Sequence, residues 1–276
     1  MTGPRRLSAL AWEAVAAVAA GALFLLLLLP LLGLLVRVAP GELLARLGTP
    51  LILSALRLSL YTSTLATLSV VALGLPTAYL LATKHFPGKR VLEVLIDLPM
   101  VLPPTVAGVG LLLAFGRAGL AGRALGTFGL SIPFTTLAVI IAQVFVASPF
   151  FVSAAVAGLR EVESRYVDAA ATLRAQPAFA FRHVLLPLAL PSVLSGMVMT
   201  WARALGEFGA TIMFAGNLTG RTQTLPLAVY MALETDLQAA VVLSVILLIL
   251  SFTLLFALRF TPWRGRWRMR AAGDGR

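Results

Sequence analysis

The sequence predicts an all-α integral membrane protein with about six transmembrane helices, and three observations lead to that class. Hydrophobic residues make up 59% of the 276 positions and charged residues only 12%, against roughly 25% charged in soluble domains. Several windows stay apolar over the ~20 residues that an α-helix needs to cross a bilayer. The basic residues are sorted by loop, so the formal net charge of +11 points to membrane topology and not to nucleic acid.

The spans run approximately over residues 14–36, 54–82, 91–115, 134–159, 184–214 and 238–260. The first follows Arg5 and Arg6. It is read as a span and not a cleaved signal peptide, because its apolar run exceeds the ~7–15 residues of a signal core and lacks a clear small-residue cleavage site. The second carries Arg57 near its outer end, where a long cationic side chain snorkels to the interface. The third contains LPMVLPPTVAG (98–108), whose prolines remove amide donors and bend the helix. Broken helices in transporters often face a water path, because their freed carbonyls need solvation; a kink used for packing alone reads the same way. Ser148-Pro149 offers a similar bend in the fourth span.

The fifth span holds Arg203 and Glu207, four residues apart on one helical face where they can pair. Ionisable groups inside a bilayer cost roughly 2.5–3.5 kcal/mol each on insertion scales, so each needs a partner or a role. A self-neutralising structural pair is one reading, and a group facing the pathway or a partner protomer is the other. Ala202, Gly206 and Ala210 recur at four-residue steps, a small-residue face that permits close helix packing. Gly206 and Gly209 also make this stretch a candidate bend. The sixth span leads into a basic tail, 261–276, in which Trp263 and Trp267 suit an interfacial anchor on anionic lipid.

With the N-terminus in the cytoplasm, fifteen of the 22 basic residues fall inside: Arg5, Arg6, Lys84, Lys89, Arg90, Arg160, Arg165, Arg174, Arg182 and the six arginines from 259 onward. That satisfies the positive-inside rule and predicts both termini in the cytoplasm. No soluble stretch is long enough to build its own core, so the chain reads as one domain, 1–276.

Two loops are informative. The inner loop 160–183 places Val162, Tyr166, Ala169 or Ala170, and Leu173 at three- and four-residue steps, an apolar helical stripe with charges on the other faces. A helix lying on the membrane surface would show the same stripe. Pro177 then suits the first turn of a new helix leading through Phe181 into the fifth span. The outer loop 216–236 has turn residues followed by a short helix-like run over 227–233, too short to span.

The chain lacks the G-x-x-x-x-G-K-[ST] loop whose backbone cradles nucleotide phosphates, so an ATP site is not expected here. His85 and His183 are far apart, and no metal-ligand spacing or nucleophilic triad can be nominated. The absence of cysteine excludes thiolate chemistry and disulfides.

The spacing of the inner loop decides between its two readings. Asp168-Ala169-Ala170 is followed by position 174, an aliphatic at 184, and Leu186-Pro187. This resembles the cytoplasmic EAA loop of ABC-importer permeases, with Asp for Glu, Val for Ile and Arg174 where the family usually has Gly. The chain from about 54 to 260 further resembles the molybdate/tungstate permeases, next to the sulfate/thiosulfate ones. LPMVLPPTVAG (98–108), LPLALPSVLSG (186–196), ARALGEFGATIMFAGN (202–217) and TQTLPLAVY (222–230) carry that likeness.

The resemblance implies a type I importer fold. It implies two permease subunits, usually identical, above cytoplasmic ATPases that hold the ATP and Mg. An external, periplasmic or lipid-anchored oxyanion-binding protein would feed them, in a bacterial or archaeal cytoplasmic membrane. The loop becomes a coupling helix on the ATPase, with Tyr166, Asp168, Ala169, Ala170, Leu173, Arg174, Val184, Leu186 and Pro187 as its residues. The small alanines allow close approach, and the acid meets a basic residue or caps its own helix. Thr105, Ser148 and Thr211 are the lining candidates for a weakly binding path. A sulfate/thiosulfate permease subunit is the neighbouring alternative. An ion-coupled secondary carrier would need intramembrane acids or histidines, of which Glu207 is the good candidate. A membrane-embedded enzyme lacks a catalytic constellation, and a purely structural scaffold leaves the spaced loop unexplained.

Overall fold

The computed structural model describes residues 3–260, with side chains at 12–39, 41, 43–170 and 172–256. The expected basic tail, 261–276, lies outside the described residues, as do the side chains of Arg5 and Arg6. The helices are α1 (Gly3–Val36), α2 (Pro40–Leu47), α3 (Pro50–Thr83), α4 (Lys89–Val101), α5 (Pro104–Phe115), α6 (Gly122–Gly126), α7 (Thr136–Arg160), α8 (Ser164–Thr172), α9 (Pro177–Ala180), α10 (Leu186–Leu205), α11 (Gly209–Ala215), α12 (Leu225–Thr235) and α13 (Leu237–Phe260); a π-turn, Phe181–Leu185, joins α9 to α10.

Five stretches are long and apolar enough to cross a membrane, and α4 with α5 makes a sixth that is bent by 118°. The predicted third span is therefore not one straight helix. Leu102 and Pro103 interrupt it, because Pro103 and Pro104 supply no amide hydrogens to the preceding turn. The predicted fifth span also divides. α10 ends at Leu205 and α11 begins at Gly209, leaving 206–208 between them.

Contacts at the two ends give the bundle its direction. Arg160 at the end of α7 donates to the Leu81 carbonyl near the end of α3 (3.2 Å) and pairs with Glu93 in α4 (2.9 Å). At the other end, Thr136 at the start of α7 donates to the Arg221 carbonyl (2.8 Å), and Arg46 of α2 pairs with Asp236 before α13 (3.0 Å). Phe115 at the end of α5 meets Phe214 of α11 with ring centroids 6.2 Å apart, and Phe214 accepts a hydrogen bond from the Phe134 amide (3.4 Å). α4 and α5 together thus pass from the Arg160 end to the Thr136 end, as one broken crossing.

Packing is closest where small residues meet. Ala66 of α3, Ala147 of α7 and Ala204 of α10 are fully buried against one another at the bundle centre, the arrangement that lets helices approach without lipid between them. One half of the core joins α3, α7 and α10 around Phe151, Val152 and Leu185. The other joins α5, α7 and α11 around Val139 and Phe214. The short outer helix, expected over 227–233, runs from Leu225 to Thr235 and packs with α13 against Ile52 and Ala55 of α3.

Asp236 holds the start of α13 by accepting from the amides of Gln238 and Ala239 (3.0 Å each) while it pairs with Arg46. The Ala239 amide, followed by the Arg46 guanidinium, holds its carboxyl below the ordinary value of 3.8. A carboxylate whose folded pKa is depressed stabilises the fold above its unfolded pKa and loses that effect as pH falls through the folded value. Hydrogen-exchange protection of the Gln238 and Ala239 amides is therefore expected to fall as pH drops below about 4. Asp236→Asn should remove that dependence, with protection measured by mass spectrometry relative to intrinsic exchange rates.

Candidate coupling surface and membrane-centre break

α8 stands outside the bundle at the Arg160 end. Its buried side is Val167 and Ala170; Val167, with Val162 of the preceding turn, packs against the core built from α3, α7 and α10. Val162 precedes the helix, and Tyr166 and Leu173 do not share the buried stripe expected for them. Leu173 is 83% exposed and Tyr166 40%. Asp168 and Ala169 are exposed too. The helix therefore has two faces, one holding it to the bundle and one free. Asp168 is the fifth residue of α8 and caps nothing; the acid is available on the outer face. Arg165 pairs with Glu163 (2.7 Å) and lies over the Tyr166 ring at 5.0 Å.

The end of α8 explains position 174. The Ala175 amide reaches back to the Ala170 carbonyl (3.0 Å), closing a turn in which Arg174 adopts φ 57°. That is the left-handed helix stop where Gly is favoured. The turn is thus not reshaped around the arginine; the arginine takes the strained conformation. A cavity of about 460 Å³ lies between this segment and the bundle, bordered by Tyr79, Lys84, Arg160, Val167, Pro177 and Leu185.

Pro177 opens α9, as expected, and the chain re-enters the bundle through the π-turn. Pro187 lacks an amide hydrogen and cannot bond the His183 carbonyl. The preceding turn widens, and the Leu186 amide reaches Phe181 five residues back. Val184 is half-buried in this turn, while Leu186 packs against the core and Pro187 stands in the first turn of α10.

At the other end of α10, Arg203 and Glu207 pair as expected, with Nη1 and Oε2 2.8 Å apart. The setting differs from one continuous helical face. Glu207 lies beyond the end of α10, 1% exposed, and its Oε1 accepts from the Ala210 amide (2.8 Å) at the start of α11. The Arg203 contact is an ion pair outside hydrogen-bond geometry. The carboxylate thus sits at the positive end of α11, and Arg203 occupies the last turn of α10, where a cation is favoured.

The expected face of Ala202, Gly206 and Ala210 does not form, because the helix stops at Leu205 and Gly206 is exposed. Gly206 and Gly209 bound the bend instead. The close approach is made by Gly209 and Gly108. A Cβ on Gly209 would stand 2.8 Å from Pro104 Cβ, and one on Gly108 would stand 2.7 Å from the Ala210 carbonyl oxygen. The breaks in the third and fifth spans consequently pack on each other.

The three lining candidates are not gathered into one site. Thr105 is exposed at the start of α5, and Thr211 is fully buried in α11 with its hydroxyl unpartnered. Ser148 donates to the Phe145 carbonyl of its own helix (3.2 Å). Sequence reasoning missed Glu93 and Asp97, two acids at i,i+4 inside the third predicted span, and Gln143, fully buried in α7 with neither amide atom partnered. The acids were legible as charges within a span; the glutamine's burial was not.

Residues 71–260 match the family described as the binding-protein-dependent transport system inner membrane component. The chain belongs to that family. It is 46% identical over 217 residues to the molybdenum transport system permease protein ModB of Mycobacterium tuberculosis, covering 79% of this chain and 82% of that one. To the Escherichia coli K12 protein of the same name it is 40% identical over 182 residues, covering 66% and 80%. Among solved structures, a bacterial ABC transporter involved in alginate import superposes with a TM-score of 0.72 at 13% identity, covering 90% of this chain and 94% of that one. The MetNI methionine ABC transporter gives 0.60 at 22% identity, covering 76% and 93%. The fold is therefore that of the type I ABC importer transmembrane subunits, and the chain is a transport component of an integral membrane kind.

Two substitutions test this geometry. Glu207→Ala strands the Ala210 amide and Arg203, and is expected to destabilise the protein by about 3 kcal/mol; Glu207→Gln keeps an acceptor for Ala210 and should cost less. Arg174→Gly relieves the left-handed strain and should stabilise by about 1 kcal/mol. Unfolding midpoints in detergent report both.

Proposed function

We propose that this chain is the membrane-spanning subunit of an ATP-driven molybdate importer, working as two copies above two ATPase subunits that bind ATP and Mg. An external binding protein delivers the oxyanion. The ends of α3 and α7, the loop with α8, and both termini face the cytoplasm, in keeping with the basic residues gathered there.

The observation that carries the coupling role is the free face of α8. A helix fastened to the bundle by Val167 and Ala170, yet presenting Tyr166, Asp168 and Ala169 outward with Leu173 exposed just past its end, suits a partner's groove. Docking there would cover the 83%-exposed Leu173, and the alanine leaves room for the partner's surface. ATP binding closes the ATPase pair, the movement enters through residues 160–176, and the spans alternate between inward-open and outward-open. The ModB names of the relatives support molybdate over sulfate.

Placing a large charge on the docking face, as Ala169→Arg, is expected to abolish ATP-dependent uptake while the protein stays in the membrane at its normal level. Survival of uptake would refute the docking surface. Labelled molybdate uptake by cells with and without this chain tests the whole reading. It should be blocked by excess tungstate but not by sulfate, and should stop when ATP is depleted. Uptake that follows the proton gradient instead would overturn the ATPase partnership.

A further inference from the structure

Among the described residues, two other than glycine hold a positive φ, Phe134 (61°) and Arg174 (57°). A β-carbon makes that backbone region unfavourable, so each calls for a compensating contact. For Phe134 the contact lies within the chain. Its amide donates to the Phe214 carbonyl (3.4 Å), and its ring lies so close to Gly216 that a β-carbon there would stand 3.0 Å from the ring Cδ1.

Arg174 has no such compensation. Its side chain is exposed and makes no hydrogen bond, ion pair or ring contact among the described residues. The turn around it, closed by the Ala175 amide on the Ala170 carbonyl (3.0 Å), is one that glycine forms without strain. Arginine here therefore costs the isolated subunit stability, and strain that nothing in the chain offsets points to a role outside it.

The neighbouring residues define what Arg174 meets. Tyr166, Asp168 and Leu173 are exposed, and Asp168 likewise has no partner among the described residues. The free residues thus run apolar, acidic, apolar and basic along the segment. An anionic lipid surface would repel the Asp168 carboxylate, whereas a folded partner can present the complementary order of charges. The counterpart of a guanidinium on such a partner is a carboxylate, which its planar fork holds by two parallel hydrogen bonds.

We propose that Arg174 is a specificity-determining residue of the coupling surface: its guanidinium engages a carboxylate of the ATPase subunit, and that contact offsets the strain of its turn. The assignment rests on the importer reading and names the chemistry of one contact within it. An ATPase with a neutral or basic residue at the facing position binds less tightly, so the arginine selects among ATPases.

The full-length subunit in lipid nanodiscs, titrated with its cognate ATPase subunit, tests the contact. Arg174→Gly and Arg174→Gln should each weaken ATPase binding about tenfold, and both should flatten its dependence on salt. Arg174→Gly should do so while raising the unfolding midpoint of the permease alone, a combination that a merely structural role would not give. Binding by both variants within about twofold of the unsubstituted subunit overturns the proposal. A loss seen in phosphatidylglycerol nanodiscs but absent from phosphatidylcholine ones also overturns it, in favour of a lipid contact.

The ammonium introduced by Arg174→Lys should form a zero-length carbodiimide cross-link to an Asp or Glu of the ATPase, located by mass spectrometry. Arg174→Glu should abolish binding, and a lysine in place of the located carboxylate should restore it. No cross-link to the ATPase, or no rescue by the exchanged charges, overturns the ion pair. Failure of the importer reading shows separately, as an unsubstituted subunit that binds no ATPase.

Discussion

The Glu207 carboxylate is the constraint around which the membrane centre is organised. A helix broken inside a bilayer leaves amides and carbonyls with no water to satisfy them. Here one buried side chain answers both ends of the break: it accepts from the Ala210 amide and balances Arg203 in the last turn of α10. With that break held open, Gly209 can lie against Pro104, and Gly108 against Ala210 and Met213. The interruption in the third span thus seats on the interruption in the fifth. Each break is tolerable because the other fills its space.

The same helix reaches the other end of the molecule. From Pro177 to Leu205 the chain runs 29 helical residues, about 43 Å at 1.5 Å per residue, with the π-turn at Phe181–Leu185 and Pro191 inside α10 as irregularities. It therefore joins the α8 segment directly to the Arg203–Glu207 junction. Ala204 packs with Ala66 and Ala147 one turn before that junction. A cavity of about 460 Å³ lies beneath α8, where the segment meets the bundle.

Much of this was legible in the sequence. Spans follow from hydropathy and length, and the bends at 99–104 and 206–209 from proline and glycine chemistry. The Arg203–Glu207 pair follows from spacing and the cost of unpaired charge. Periodicity misled where an element ended. Val162, Tyr166, Ala169 or Ala170, and Leu173 look like one stripe only if the helix runs through all four, whereas α8 covers Ser164–Thr172; of these residues Val162 and Ala170 turn inward, together with Val167, while Tyr166 and Leu173 are exposed. Ala202, Gly206 and Ala210 failed for the same reason at Leu205. Glu93 and Asp97 are masked by the valines and leucines around them, which satisfy the length of a span despite two charges. Which face of a short helix is free depends on tertiary packing, which a single stripe does not encode.

For the proposed importer, the way charge is distributed bears on how a dianion would cross. Arg203 is neutralised by Glu207 and Arg160 by Glu93, so these cations present no strong trap. Among the described residues, the buried side-chain atoms without a hydrogen-bond partner are both amide atoms of Gln143, the hydroxyls of Thr211 and Thr224, the amide oxygens of Asn217 and Gln223, and Glu207 Oε2; all but the last are neutral, and that one pairs with Arg203. Hydrogen bonds from neutral donors hold an anion far less tightly than an arginine fork does. A transport cycle needs that weakness, since every contact strong enough to retain the ion must be broken before it leaves. In the proposed importer, recognition would then reside in the external binding protein, and the membrane subunit would need only to avoid a deep minimum between its two faces.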